Sequence, residues 1–477
     1  MNPGACARNT ECAVAARDAS SFLAGMLTPP SLKGPVMDFA KRAFDQSHQL
    51  DPIVRSLLDT DFYKLLMAQF VHERYPATQV SFALHNRTTS VRLADIIPQA
   101  ELRAQLDHVR TLQFRPNELI WIAGATFYGQ QRIFRPAFIE FLRGLRLPDY
   151  DLRREDGQYV LTFSGAWAET TWWEIYALAI VSELRSRAGH RQRGEIELDF
   201  LYARAKSKLL AKLARLRGLE GLALSEFGTR RRHGFLWQEW VVLAMAEVLG
   251  PAFVGTSNAY LAFKHGFDAK GTNAHELPMV LAALATDDAG LRASQYDLLA
   301  QWQDAYSGNL LVALPDTYGT TQFLDGAPEW LATDWRGYRP DSKAPVEAGD
   351  ELIAWLRRNG VDPMDRLVLF SDGLDVRIDG FETHGDDIGD IHAYFAGRIG
   401  RAYGWGTNAT NDFRGCDPRG EALFDPLSLV CKVAAADGRP AVKLSDNYGK
   451  ASGPAADVAR YRRVFGDAGL HDAPIYV

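Results

Sequence analysis

Cysteine is scarce in this chain: Cys6, Cys12, Cys416 and Cys431 form no Cys-x-x-Cys pair and no metal-ligand spacing. That speaks against a zinc ribbon or a disulfide-stapled scaffold, and a reducing, cytoplasmic setting is the expectation. Basic residues have no excess either. With 53 Lys and Arg against 59 Asp and Glu, the net charge of −6 lacks the footprint of a nucleic-acid-binding surface. No apolar run reaches the roughly 18 residues needed to cross a bilayer, because the best candidate, 240–254, is cut by Glu247, Gly250 and Pro251. A Gly-x-x-x-x-Gly-Lys-Ser/Thr stretch is missing, which excludes a P-loop enzyme. His275-Glu276 begins like a zinc-protease helix, but Met279 stands where the second histidine would fall and Pro278 interrupts. Residues 1–36 lack a charged start followed by a clean apolar core, so they do not read as a signal peptide. They read as a disordered extension or as an upstream, misassigned start before Met37.

Against these absences the chain has bulk, since 477 residues with 47% hydrophobic and 23% charged suffice for two or three domains with sizeable cores. The expected organisation is an extension over 1–50, an N-terminal α+β domain over 51–194, a βα barrel over 195–420, and a β segment over 421–477 returning to the N-terminal domain. In the first portion helices are expected over 102–112 and 172–185, and strands over 80–84, 132–134 and 159–163. Asp59 or Thr60 would cap the helix that follows them. After residue 195 the pattern changes. A long amphipathic helix over 196–216 precedes strand-like runs at 222–226, 252–254, 309–314, 337–339, 366–370 and 391–396, with helical segments in most gaps. Such alternation predicts a parallel sheet closed into a barrel. In the tail, 427–434 and 440–444 flank Asp437-Gly438 as a hairpin.

Polar motifs fall just after these strands, where loops offer free N–H groups and helix N-termini to an anionic ligand. They are Ser225-Glu226-Phe227-Gly228-Thr229-Arg230-Arg231-Arg232, Gly255-Thr256-Ser257-Asn258, Gly271-Thr272-Asn273-Ala274-His275-Glu276, Arg339-Pro340-Asp341-Ser342, Ser371-Asp372-Gly373 and Gly404-Trp405-Gly406-Thr407-Asn408. Asp341 and Asp372 suit ribose hydroxyls or the Mg²⁺ of a diphosphate, or else cap the next helix. Gly404-x-Gly406-x-x-Ala409 matches a dinucleotide fingerprint loosely, and reads as a phosphate cradle of backbone N–H groups or as an ordinary loop. His275 taken alone is a structural histidine more often than a functional one.

In this order, and together with Leu58-Asp59-Thr60-Asp61-Phe62-Tyr63-Lys64, Val430-Cys431-Lys432-Val433 and Val442-Lys443-Leu444-Ser445, the motifs closely resemble the nicotinate phosphoribosyltransferase family, from about Leu57 to Asp446. The resemblance implies an irregular βα barrel of the type II phosphoribosyltransferases joined to a sandwich-like α+β domain built from both chain ends. It also implies a homodimer with shared active sites. The reaction implied is transfer of phosphoribose from phosphoribosyl pyrophosphate to nicotinate, coupled to ATP hydrolysis through a phosphohistidine at His275, with Mg²⁺ as cofactor bound through the diphosphate.

By the same resemblance Arg230 and Glu276 join His275 as catalytic residues. Phe227 would stack on the pyridine ring, with Tyr63 of a neighbouring subunit on its other face, while Thr229, Arg230, Ser257 and Arg339 would complete the substrate site. Asp341, Ser342, Asp372, Gly373, Gly404, Gly406 and Thr407 would hold phosphoribosyl pyrophosphate. Related nicotinamide enzymes carry an aspartate where Ser257 stands. A serine there can donate to a carboxylate that an aspartate would repel, so nicotinate is the expected substrate. The runner-up readings are a nicotinamide-using sister enzyme and, on the glycines alone, a dinucleotide-binding oxidoreductase.

Overall fold

A computed structural model describes residues 50–127 and 131–472, and the expectations for residues 1–36 lie outside them. Helix α1 (Phe62–Arg74) is buried from Phe62 to Val71, Lys64 and Gln69 included, so it crosses the interior instead of lying on a surface. Its N-cap is Asp61, which makes no capping bond. Neither expected cap, Asp59 nor Thr60, holds that position, and Asp59 accepts from both terminal nitrogens of the Arg232 guanidinium at 2.8 Å instead. Strands β1 (Gln79–Asn86), β2 (Tyr150–Glu155) and β3 (Gln158–Ala166) follow. In β1, Val80, Phe82 and Leu84 point inward and their neighbours outward, the period of two that places one face on a core. The expected strand at 132–134 is limited to Gln131–Arg132.

Helices α2 (Trp173–His190) and α3 (Glu195–Arg217) lead into the second architecture. Here β4 (Leu224–Glu226), α4 (Phe235–Leu249), β5 (Phe253–Thr256), α5 (Ala259–His265), α6 (Glu276–Leu284) and α7 (Asp288–Ala305) come in turn. They are followed by β6 (Val312–Ala313), β7 (Gly337–Tyr338), α8 (Pro345–Arg358), β8 (Leu367–Phe370), α9 (Ile388–Tyr394) and β9 (Gly400–Trp405). All ladders in this sheet are parallel, in the order β5-β4-β9-β8-β7-β6. The last strand therefore pairs with the first, Tyr403 beside Leu224 and Gly404 beside Ser225. Between β5 and β6 an irregular segment takes the place of a ladder: Thr256 exchanges backbone bonds with Asp268 and Lys270, and the Asn273 amide donates to the Val312 carbonyl at 3.1 Å. The mixed α/β class is as expected. One strand is not: 391–394 belongs to α9, with 395–396 in the turn after it; the N-cap Asp387 accepts from the Asp390 N–H at 3.0 Å, and the ladder is completed by β9.

After the parallel sheet come β10 (Leu429–Ala436), β11 (Arg439–Pro440) and α10 (Ala455–Phe465). Asp437 and Gly438, at φ 46° and 75°, turn the hairpin between the two strands. Strand β10 lies antiparallel to β1, giving a separate five-stranded sheet in the order β11-β10-β1-β3-β2. Both ends of the described chain thus meet in one sheet. The fully buried Trp167, Trp172 and Trp173 belong to a single apolar cluster that includes residues of both sheets. Among the described residues no helix is long and apolar enough to cross a membrane.

Candidate active site

At the carboxyl ends of the parallel strands lies a cleft of about 210 Å³ between the two sheets. Strand β4 delivers Phe227, Arg230 and Arg231 to it, the loop before α6 delivers His275, and the turns after β7, β8 and β9 deliver Arg339 with Asp341, Asp372 with Gly373, and Gly406 with Thr407. From the other sheet come Arg87 at the end of β1, Lys432 on β10, and Lys443 and Lys450 beyond the hairpin. Seven lysines and arginines line the cleft against four carboxylates, which suits an anionic ligand. A wider cavity of about 1000 Å³, lined largely by apolar residues, shares Phe227, Arg230 and Arg339 with it. Those three residues stand at the junction of the two spaces.

The imidazole of His275 is held at both nitrogens. Its Nδ1 is 3.0 Å from Thr317 Oγ1, and its Nε2 is 3.1 Å from Asp341 Oδ2 and 2.9 Å from Lys443 Nζ. Burial lowers its pKa, with Lys443 acting in the same direction and Asp316 opposing. Asp341 experiences burial that would raise its own value, but the His275 hydrogen bond and Arg339 outweigh it and hold the carboxyl well below the usual range. Asp372 is raised by burial despite its ion pair with Lys450. Lys432 is the strongest anomaly. It has no ion-pair partner among the described carboxylates, and burial, with Lys443, Arg87 and Lys450 adding to it, drives its pKa far down. A half-buried lysine surrounded by cations is a place where a polyanion would be bound.

Within the same cleft Arg230 donates to Glu174 Oε1 at 3.1 Å, and its Nε lies 3.6 Å from Asp61 Oδ2. Its side chain remains 43% exposed to the cavity. The Arg339 guanidinium donates to the Asn273 carbonyl at 2.9 Å, which leaves its Nε without a partner. An aromatic ring beside two arginines suits a planar ligand that carries a carboxylate.

Residues 222–468 match the nicotinate phosphoribosyltransferase (NAPRTase) family, and residues 58–182 match the N-terminal domain of that family. The chain belongs to this family. Among solved structures, nicotinate phosphoribosyltransferase from Vibrio cholerae is 30% identical with a TM-score of 0.74, the match covering 87% of this chain and 94% of that one. The enzyme of the same name from Porphyromonas gingivalis is 25% identical with a TM-score of 0.73, covering 87% and 100% respectively.

Several family residues expected at the site have their polar atoms engaged in hydrogen bonds within the chain. Glu276, expected as catalytic, is buried, and its carboxylate accepts from Lys64 Nζ at 2.5 Å, Trp167 Nε1 at 2.6 Å and Thr171 Oγ1 at 2.7 Å. These donors anchor α6, and the residue also lines the cleft. Thr229 is fully buried and accepts from Gln238 and Asn258. The Ser342 hydroxyl donates to Asp316 Oδ2 at 2.8 Å and accepts from the Asp446 N–H at 3.0 Å, so it positions acidic residues behind the cleft and does not reach into it. Ser257 lines the wider cavity, but its hydroxyl donates to Asp61 Oδ1 at 2.7 Å. The proton expected to go to the carboxylate of the ligand is thus given to Asp61 of the chain itself.

Gly404 is not a phosphate cradle, because it lies within β9 and a Cβ there would overlap the Phe227 ring. This also removes the dinucleotide fingerprint, whose first glycine must form the turn. This chain's own Tyr63 lines the wider cavity, with its hydroxyl 3.4 Å from Glu174 Oε1. Lys432, Lys443, Lys450, Arg87 and Glu174 were not singled out from the sequence. Lys432 and Lys443 fall in the two late stretches that carry the resemblance, and that was the available signal; Lys450 lies beyond its end at Asp446.

Proposed function

We propose that this chain transfers the phosphoribosyl group from phosphoribosyl pyrophosphate to the ring nitrogen of nicotinate, a step of NAD salvage, with ATP hydrolysis coupled through phosphorylation of His275. The observation that carries this reading is the arrangement of one cleft. Phe227, Arg230 and Arg339 stand at one side, Lys432, Lys443 and Lys450 at the other, and His275 beside the lysines. Arg230 and Arg339 suit the nicotinate carboxylate, and the lysines suit a diphosphate.

The pyridine nitrogen already holds a free electron pair, so the new N–C1′ bond needs no general base. Positioning and charge stabilisation suffice as the C1′–O bond to diphosphate breaks. Lysines around the leaving group favour the charge that it gains. Asp341 and Asp372, carboxylates facing the cleft, supply hard oxygen ligands of the kind Mg²⁺ takes, and the ion would neutralise diphosphate charge. For the ATP step, Nε2 of His275 faces Lys443, which would neutralise a phosphoryl group bonded there. The homodimer implied by the resemblance belongs to the same proposal.

The test is turnover of labelled nicotinate with phosphoribosyl pyrophosphate and Mg²⁺, with and without ATP, beside the same assay on nicotinamide. Nicotinate mononucleotide formed faster or at lower substrate concentration with ATP is the expected result, together with acid-labile label on His275 from γ-labelled ATP. Product from nicotinamide alone would overturn the substrate assignment. Full ATP stimulation in His275→Ala would overturn the phosphohistidine.

A further inference from the structure

The Lys64 side chain is fully buried and reaches neither the narrow cleft nor the wider cavity, yet its ammonium group lies between two carboxylates that belong to different parts of the site. It is 2.7 Å from Glu174 Oε2 and 2.5 Å from Glu276 Oε2, and it donates to Thr171 Oγ1 at 3.0 Å. Glu174 is the same carboxylate that accepts from Arg230 at 3.1 Å. Glu174 therefore divides its charge between a lysine that cannot leave and an arginine that can, because Arg230 is 43% exposed and Lys64 is fully covered.

The consequence follows from electrostatics in a shielded setting. A carboxylate on the ligand must compete with Glu174 for the Arg230 guanidinium. How hard Glu174 holds Arg230 depends on how much of its charge is already neutralised. With Lys64 in place, together with the Tyr63 hydroxyl at 3.4 Å, Glu174 is satisfied without Arg230. Without Lys64, Arg230 would be its remaining cation, and the pair would tighten in a wall of low dielectric.

We propose that Lys64 is a positioning residue that sets the affinity of the base site for a carboxylated ring, by holding the charge of Glu174 so that Arg230 stays available. This rests on the reading of Arg230 as the partner of the nicotinate carboxylate. Lys64 itself touches no ligand and acts through Glu174. It also connects that arginine, through Glu276, to the first turn of the helix that begins beside His275.

The experiment compares wild type, Lys64→Met and the double variant Lys64→Met/Glu174→Gln, with KM measured separately for nicotinate and for phosphoribosyl pyrophosphate. Lys64→Met should raise KM for nicotinate about tenfold and leave KM for phosphoribosyl pyrophosphate unchanged. The double variant should restore nicotinate KM toward wild type, since the neutral amide that replaces the Glu174 carboxylate no longer captures Arg230. Both variants leave the buried Glu276 without its lysine, so Glu174→Gln alone, which keeps Lys64 on Glu276, is the test that remains if neither folds: its nicotinate KM should lie at or below that of wild type, and a higher value would overturn the proposal. Unchanged nicotinate KM in Lys64→Met, an equal rise for both substrates, or a double variant without recovery would each overturn the proposal. A wild-type enzyme that does not turn over nicotinate would instead overturn the functional reading beneath it.

Discussion

Glu226 is fully buried at the end of β4, where its carboxylate accepts from the Gly228 N–H at 2.5 Å, Thr256 Oγ1 at 2.5 Å and Gln238 Nε2 at 3.0 Å. It shapes the turn that projects Phe227 and Arg230. Burial nevertheless outweighs these donors and raises its pKa to about 7. A carboxyl raised on folding binds protons more tightly in the native state, so its contribution to stability is full below the unfolded value and declines as pH rises through about 7. Glu226→Gln should remove that decline. Its amide can donate to Thr256 Oγ1 and its oxygen can keep the other two donors. Above pH 7 the variant should be more stable by up to about 3 kcal/mol, with little change at pH 5. Urea unfolding at the two pH values checks this, and a variant less stable at pH 8 would show that the ionised form is the one the turn requires. The glutamate was visible in the sequence only as part of a motif. Its burial and its three donors come from residues 2, 12 and 30 positions away, which no local pattern encodes.

Among the elements, β9 shows how a small residue positions a large one. Gly404 is registered beside Ser225 on β4, and the Phe227 N–H donates to the Trp405 carbonyl at 2.8 Å, so the aromatic ring lies across the glycine. Gly404→Ala would drive a methyl group into the ring and displace it from the junction of the two cavities. We expect KM for nicotinate to rise at least about tenfold, with thermal stability reduced and KM for phosphoribosyl pyrophosphate changed far less. Steady-state kinetics with each substrate varied in turn decides it, and equal losses for both would mean that the whole turn after β9 had moved. The same element marks where sequence patterning stopped being sufficient. Long helices such as α2 and α3, and strands with their apolar runs such as β3 and β8, were legible because their periodicity is local. The run at 391–396 reads as a strand from its apolar residues, but the Asp387 cap and the burial of Ile388, Ile391 and His392 at helical spacing make 391–394 part of α9. The neighbouring β9, with Gly400, Arg401 and Gly404, is poor in strand formers and is stabilised by pairing with both β8 and β4, a tertiary effect.

At the scale of the whole molecule, the cleft exists because β10 returns more than 340 positions along the chain to pair with β1, Phe82 opposite Val433 and Ala83 opposite Lys432. That pairing brings Lys432 to face loops of the parallel sheet. The return of the tail was legible from its hairpin, whereas the identity of the residues it would present was not, since facing depends on register. Lys432 carries the cost of this assembly: a half-buried lysine without an ion-pair partner among the described residues, its pKa driven down by desolvation and by neighbouring cations. A lysine lowered on folding destabilises the native state while charged, and that penalty fades as pH rises through its folded pKa, so wild-type stability should gain with pH in that range. Lys432→Met keeps the aliphatic stem and deletes the charge. It should therefore melt at or above the wild-type temperature near neutral pH, while KM for phosphoribosyl pyrophosphate rises at least about tenfold. Diphosphate added to a thermal melt separates the two effects. Wild type should gain stability from the anion and the variant should gain much less. If the variant melts lower than wild type and keeps its response to diphosphate, then Lys432 is a structural residue and the anion is held by Lys443 and Lys450 without it.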